Sequence, residues 1–210
     1  MSEFAFVAGV ATPRKRPVQG RSRDTVAAIV DATFRVLDEV GEALTTTRVA
    51  EVAGVSVGTL YQYFPNREAL INGALAAHLE AAIGALEHAT DEALATAMPR
   101  PAATEHVVRA FLGTKAERAE ASRVLHRVFG VGKLDDRAVV RAATQRGQRA
   151  IARLFAGAAA PSPTDLQRAE LACTALEGVV RAAIDADPAR LRDPHWIESV
   201  IQLAIRALAA

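Results

Sequence analysis

The sequence predicts an all-α protein, and three observations carry that reading. Alanine, the best helix former, fills 46 of 210 positions. Aromatic residues, which favour strands, make up only 5%. Apolar residues recur at spacings of three and four rather than alternating. Half the residues are apolar and 23% are charged, a balance suited to a packed core and not to wholesale disorder. The length allows one large domain or two small ones.

Each element can be justified in order. Residues 1–21 hold Pro13, Pro17 and Gly20 without an apolar period, so they read as a flexible arm. Ser22 is placed to cap a first helix, with Val26, Ile29, Val30, Phe34 and Leu37 on one face and Gly41 as its stop. Two very short helices follow. One runs from Thr46 to Ala53 behind a cap from the Thr45-Thr46-Thr47 cluster, and one from Val57 to Tyr63 behind Ser56. Pro65 ends the second, and Asn66 caps a long helix that reaches about Ala95. At 1.5 Å per residue that helix would be about 45 Å long, enough to link two lobes. Pro99 and Pro101 follow its end. Residues 102–157 read as three helices, with breaks expected near Gly113-Thr114 and Gly130-Val131-Gly132. Pro161 and Pro163 mark a linker. Two last helices, from Thr164 to Asp187 and from Asp193 to Ala209, bring the total to about nine.

Composition also excludes. One cysteine, Cys173, rules out an internal disulfide framework and any zinc site with two thiolates. The histidines at 78, 88, 106, 126 and 195 show no metal-ligand spacing, and no cofactor motif appears. No uninterrupted apolar run approaches the roughly 20 residues that cross a bilayer, and Phe4–Ala11 is too short for a signal peptide. The expectation is a cytoplasmic protein without a membrane partner. Net charge is +1, which says nothing about nucleic acid. Local charge says more: Arg14, Lys15, Arg16, Arg21 and Arg23 fall in one stretch with no acidic residue. Such a run is either a solvated tail or an arm that meets phosphates.

Residues 45–64 have the spacing of a helix-turn-helix. Ala50 is small where two helices would cross, Gly54 permits a left-handed turn, and Val49, Ala53, Val55, Leu60 and Tyr63 can hold the pair together. Any short helical hairpin with a glycine turn would share these features. The wider segment narrows the choice. Gly54-Val55-Ser56-Val57-Gly58-Thr59-Leu60-Tyr61-Gln62-Tyr63-Phe64, followed by Asn66, Arg67, Glu68, Ala69 and Leu70, resembles the TetR family of transcriptional regulators. Ile29, Ala32, Phe34, Leu37 and Gly41 of the preceding helix extend the resemblance, which covers residues 22–82. Arg67 departs from it, since the family most often carries lysine there.

The resemblance implies a three-helix DNA-binding domain over residues 22–82 and a helical ligand-binding and dimerisation domain over 83–210. Ser56, Val57, Gly58 and Thr59 would face base edges in the major groove, with Val57 limited to apolar contact and Gly58 letting the backbone come close. Thr45, Thr46, Thr47, Tyr61 and Tyr63 would meet phosphates through hydroxyls, and Arg67 through charge. The basic arm would grasp DNA by entering the minor groove. Leu166, Ala169, Cys173, Leu176 and Val180 form a seam at spacings of three and four, and the last helix adds Trp196, Val200 and Leu203. With the polar stripe Glu198, Gln202 and Arg206, that helix is apolar on two sides. The resemblance favours a homodimer through a four-helix bundle, and a helix internal to a monomer is the alternative. The middle helices would hold a small-molecule effector, with Phe111, Leu125, Phe129 and Phe155 as candidate walls. His106, His126 and Glu177 are candidate polar groups, and Cys173 reads as a buried small hydrophobe. No Ser/His/Asp set, phosphate-binding glycine loop or carboxylate pair supports an enzyme. The function expected is a repressor that binds a palindromic double-stranded operator and is released by its effector.

Overall fold

The computed structural model describes residues 20–134, 138–157 and 159–209, without the side chains of residues 20, 21, 126, 128–134 and 209. These residues form nine α-helices and no strand. The helices are α1 (Gly20–Val40), α2 (Thr46–Ala53), α3 (Val57–Tyr63), α4 (Arg67–Ala95), α5 (Arg100–Glu117), α6 (Ala119–Leu134), α7 (Ala138–Ala156), α8 (Pro163–Ala186) and α9 (Pro194–Ala209). Short 3-10 turns occupy Gly41–Ala43 and Pro188–Arg192.

The caps explain most boundaries. Thr45 accepts from the Arg48 N–H, Ser56 accepts from the Thr59 N–H, and the Asn66 side chain accepts from the Ala69 N–H. Each satisfies a donor that a helix start leaves without an intrahelical partner. Ser162 and Asp165 form a reciprocal capping box at the start of α8. Three expectations need correction. α1 begins before Ser22, whose hydroxyl instead pairs with the Tyr63 hydroxyl at 3.0 Å. α5 runs through Gly113-Thr114 to Glu117, and α6 continues through residues 130–132. One glycine costs a helix only about 1 kcal/mol, which packing easily offsets. Thr114 also donates its hydroxyl to the Ala110 carbonyl, a bond that keeps it helical. α4 is also more apolar than the run-based reading allowed. It contains an 18-residue window of mean hydropathy 1.4, long and apolar enough to cross a membrane, but 56% of that window is buried inside the protein. Its apolarity is that of a core helix.

The chain divides into two compact units. The first holds the residues up to His78 together with those from Val124 to Arg141. Its core is Ile29, Val36, Leu37, Val49, Leu60, Phe64, Leu70 and Ile71. The second holds Leu79–Arg123 and Ala142–Ala210. Its core comprises two apolar clusters, one around Val107, Ile151, Phe155 and Ala169, the other around Leu112, Val180, Ile184 and Ile201. Within this unit Arg146 of α7 bridges Glu80 and Glu87 of α4, donating to each carboxylate at 2.6 Å. Four charge-assisted hydrogen bonds from one guanidinium tie the two helices together.

Candidate functional site

The first unit presents a short rod to solvent. α2 ends where Gly54 adopts a left-handed conformation (φ 69°, ψ 28°). Its N–H turns back to the carbonyls of Ala50 and Glu51, and the Val55 N–H also reaches Ala50 at 3.0 Å. A side chain there would be strained, so glycine is what lets α3 turn away at once. Ala50 and Val49 are buried beneath the crossing. α3 is anchored by Leu60, with no exposed surface, and by Phe64 just beyond its end. The Phe64 ring lies against Gly73 of α4, where an added Cβ would come within 2.6 Å of it. Sequence reading passed over Gly73. Its signal was an isolated glycine in an otherwise strong helix.

The opposite face of α3 is open. Val57 and Tyr61 are 36% and 43% exposed, and Gly58 and Gln62 are exposed beside them. A Cβ built on Gly58 would meet only the Ser56 hydroxyl, at 3.7 Å. The fold therefore does not require glycine at this position. α3 contains no charged residue. Its hydroxyls are held in pairs: Tyr61 with Thr46 at 3.0 Å, Ser56 with Thr59 at 2.8 Å, and Tyr63 with Ser22 at 3.0 Å. Thr45 and Thr47 are exposed, and Tyr63 is half-buried. Gln62, absent from the expected site, shares the outward face because it lies four residues after Gly58.

Arg67 has a role that its sequence position did not reveal. Its Nε donates to the Leu44 carbonyl at 3.0 Å and its Nη2 to the Glu42 carbonyl at 2.7 Å. The guanidinium thus fastens the segment before α2 to the start of α4. Arg48 is tied to Glu39 and Glu51 at 3.2 Å, so this exposed cation is already matched by two carboxylates. The arm residues Arg14, Lys15 and Arg16 lie outside the described residues, as does the Arg21 side chain.

In the second unit the expected seam divides. Ala169, Val180 and Val200 are buried in the unit's own core, and Cys173, Leu176 and Trp196 pack partly against it. Only Leu166 and Leu203 are well exposed, at 41% and 44%. A spacing of three and four marks whichever face packs, and here that face turns inward. The outward stripe of α8 lies one step round, at Leu171, Thr174, Ala175, Gly178 and Ala182. Leu171 is 67% exposed. On α9, Ser199, Leu203 and Ala207 are also exposed.

An apolar cavity of about 20 Å³ lies in the same unit, lined by Thr104, Val108, Ile151, Cys173, Leu176 and Leu208 among others. Burial pushes the Cys173 thiol up to about 12, which fits an inert hydrophobe. None of the expected pocket residues lines this cavity. His106 faces Glu92 at 3.0 Å, a carboxylate it shares with His88. Phe155 is buried with the Arg168 guanidinium 4.2 Å from its ring centre. Glu177 sits 4.0 Å from Arg181, Phe111 bridges the two apolar clusters, and Leu125 is buried in the first unit. The side chains of His126 and Phe129 lie outside the described residues. Among the described residues, no group of three or more His, Cys, Asp or Glu could hold a metal ion.

Two short helices joined through a left-handed glycine, the second anchored on one side and open on the other, define a helix-turn-helix protein. Residues 29–74 match the family described as bacterial regulatory proteins, tetR family. The chain is 35% identical over 144 residues to the HTH-type transcriptional repressor KstR of Rhodococcus jostii, a match covering 60% of this chain and 65% of that protein, just under two thirds. A TetR-family regulator structure from Mesorhizobium loti superposes with a TM-score of 0.67 at 16% identity, covering 90% of this chain and 97% of that one. The regulator LfrR from Mycobacterium smegmatis, in complex with proflavine, superposes at 0.60 with 22% identity, covering 89% and 96%. By sequence over residues 29–74, and by fold along most of its length, the chain is similar to TetR-family transcriptional regulators.

Proposed function

We propose that the protein is a cytoplasmic repressor that binds a palindromic operator as a homodimer and leaves it when a small molecule binds. The observation that carries this reading is the outward face of α3. Val57, Gly58, Tyr61 and Gln62 lie exposed together, none is charged, and Gly58 is a glycine that the fold does not require. A protein surface held only for folding gains nothing from a glycine in the first turn of a helix. A helix that must bring its backbone against base edges does.

In this reading Val57 contacts a thymine methyl and Gln62 an adenine edge. Thr45, Thr46, Thr47, Tyr61 and Tyr63 offer hydroxyls to phosphates, and Arg67 offers the N–H groups that the carbonyls of residues 42 and 44 leave over. One α3 reads only a few base pairs, so specificity requires two copies about 34–36 Å apart, on successive major grooves. The exposed stripe of α8 with Leu203 of α9 supplies a self-complementary face for that pairing. The relative KstR is a repressor, and LfrR has been captured with a bound small molecule; both support the sign and the ligand response.

Selection of bound sequences from random duplex, followed by gel shift across a salt series, tests the proposal. The expected result is a two-fold symmetric consensus and an affinity that falls steeply with salt. Binding without sequence preference, or no binding, overturns it.

A further inference from the structure

The chain around α3 carries few cations that could meet a base edge. From Ser22 to His78 there is no lysine, and the arginines are Arg23, Arg35, Arg48 and Arg67. Three of them are held by the protein itself. Arg35 pairs with Asp31 at 3.0 Å, Arg48 with Glu39 and Glu51 at 3.2 Å, and Arg67 donates to the carbonyls of Glu42 and Leu44. Arg23 belongs to α1, next to Ser22, whose hydroxyl meets Tyr63 at the end of α3 farthest from Val57. α3 itself has neither a cation nor a carboxylate. The hydroxyls of Ser56, Thr59 and Tyr61 are already paired within the protein. The Gln62 amide differs from all of these: it is exposed, and it has no hydrogen-bond partner among the described residues.

Each base asks for a different side chain in the major groove. Guanine is read most often by an arginine or lysine spanning O6 and N7, and cytosine by a carboxylate that accepts from its amine. α3 can do neither. Adenine is read by an amide that spans N7 and the N6 amine, and thymine by apolar contact with its methyl group. α3 holds one side chain of each kind, Gln62 and Val57, and the space over Gly58 next to Val57 is open. On the reading that α3 lies in the major groove, we propose that the base pairs it reads are A·T pairs. The Gln62 Nε2–H donates to N7 of one adenine and its Oε1 accepts from the N6 amine, while Val57 packs on the methyl of one thymine. The rise from Val57 to Gln62 is about 7.5 Å at 1.5 Å per residue, or roughly two base-pair steps. The adenine and the thymine therefore fall within about three base pairs of one half-site.

Gel shift of the full-length protein on the duplex selected from random sequence tests this. Adenines are replaced one at a time by 7-deazaadenine, which puts a C–H where N7 was, and thymines by uracil, which lacks the methyl. At one adenine per half-site the replacement should weaken wild type about tenfold and leave the affinity of Gln62→Ala unchanged. At one thymine nearby, uracil should weaken wild type about fourfold and leave Val57→Ala unchanged. Gln62 and Val57 are both exposed, so neither variant disturbs the core. Guanines replaced by 7-deazaguanine serve as the counter-probe and should show no loss that depends on Gln62. A 7-deazaguanine loss that disappears in Gln62→Ala overturns the proposal. So do 7-deazaadenine effects equal in wild type and Gln62→Ala at every adenine, or uracil effects equal in wild type and Val57→Ala at every thymine. In each of these cases sequence-specific binding survives, and with it the reading of the protein as a DNA-binding regulator. Binding without sequence preference removes that reading and this inference together.

Discussion

α3 and α8 make an instructive pair. Each has one face buried in its own unit and one face turned to solvent, yet the solvent faces differ in kind. That of α3 is small and hydroxyl-bearing, with Gly58, Thr59 and Tyr61 near Ser56. That of α8 is small and apolar, with Leu171, Ala175, Gly178 and Ala182. Neither Gly58 nor Gly178 is required by the fold, since an added Cβ meets only the Ser56 hydroxyl at the first and nothing within 4 Å at the second. A face that the fold leaves free is shaped by what it meets: a duplex edge demands hydrogen-bonding groups and close backbone approach, while a second helix demands apolar area and small residues.

The strongest way to break this comparison is to charge the α8 face. Leu171→Glu with Leu203→Glu places carboxylates on two exposed leucines without touching the buried face. The expected outcome is a folded monomer by light scattering, with operator affinity lowered about a hundredfold or more because one recognition helix must act alone. A variant that stays dimeric would assign the stripe to something other than pairing.

Next comes the anchor beneath α3. Gly73→Ala drives a methyl to within 2.6 Å of the Phe64 ring, so the ring or the helix must shift. Overpacking of this sort costs about 1–3 kcal/mol. A lowered midpoint in thermal or urea unfolding checks it. A control at Gly84, where an added Cβ meets nothing within 4 Å, should be neutral or stabilising.

These two regions were not equally legible. The sequence contained α2, α3 and their caps almost residue by residue, because Thr45, Ser56 and Gly54 act locally. Their effect depends on neighbours within three or four positions. The same holds for Leu60 and Phe64 as core. What the sequence did not contain was partnership across long separations. Arg67 bonds carbonyls more than twenty residues away, Ser22 pairs with Tyr63, and Gly73 yields space to Phe64. In the second unit the seam at 166–183 had the right spacing for a packed face, but periodicity cannot tell an inner face from an outer one. Both repeat at 3.6 residues, and only the tertiary fold decides which is covered. The pocket residues were legible least, since a cavity is defined by several helices at once.

A sharper test separates folding from function within α3 itself. Gly58→Ala fills space where the new Cβ has only the Ser56 hydroxyl nearby, at 3.7 Å. Helix propensity then predicts a stabilisation of about 0.5–1 kcal/mol in unfolding experiments. The same methyl stands between the backbone and the base edges, so operator affinity should fall by about tenfold, or about 1.4 kcal/mol. Opposite signs from one methyl are the signature of a surface kept for binding. A rise in stability with no loss of affinity would mean that α3 does not approach DNA at Gly58.

The smallest expected effects distinguish the roles of two neighbours. Tyr61→Phe removes one hydroxyl, now paired with Thr46 at 3.0 Å on the exposed surface. Losing one phosphate contact should weaken binding by about 0.5–1.5 kcal/mol, evenly across operator variants. Val57→Ala removes two methyls from a side chain that can offer only apolar contact. Its loss should relax the preference at a single base pair by about 1 kcal/mol while leaving binding to random duplex unchanged. Measuring both variants on the same panel of single-base operator substitutions makes the contrast direct. Tyr61→Phe shifts every operator of the panel alike, and Val57→Ala shifts only those changed at one base pair. If Val57→Ala instead lowers affinity on all sequences equally, Val57 supports the helix rather than reading the groove, and base recognition passes to Gly58 and Gln62.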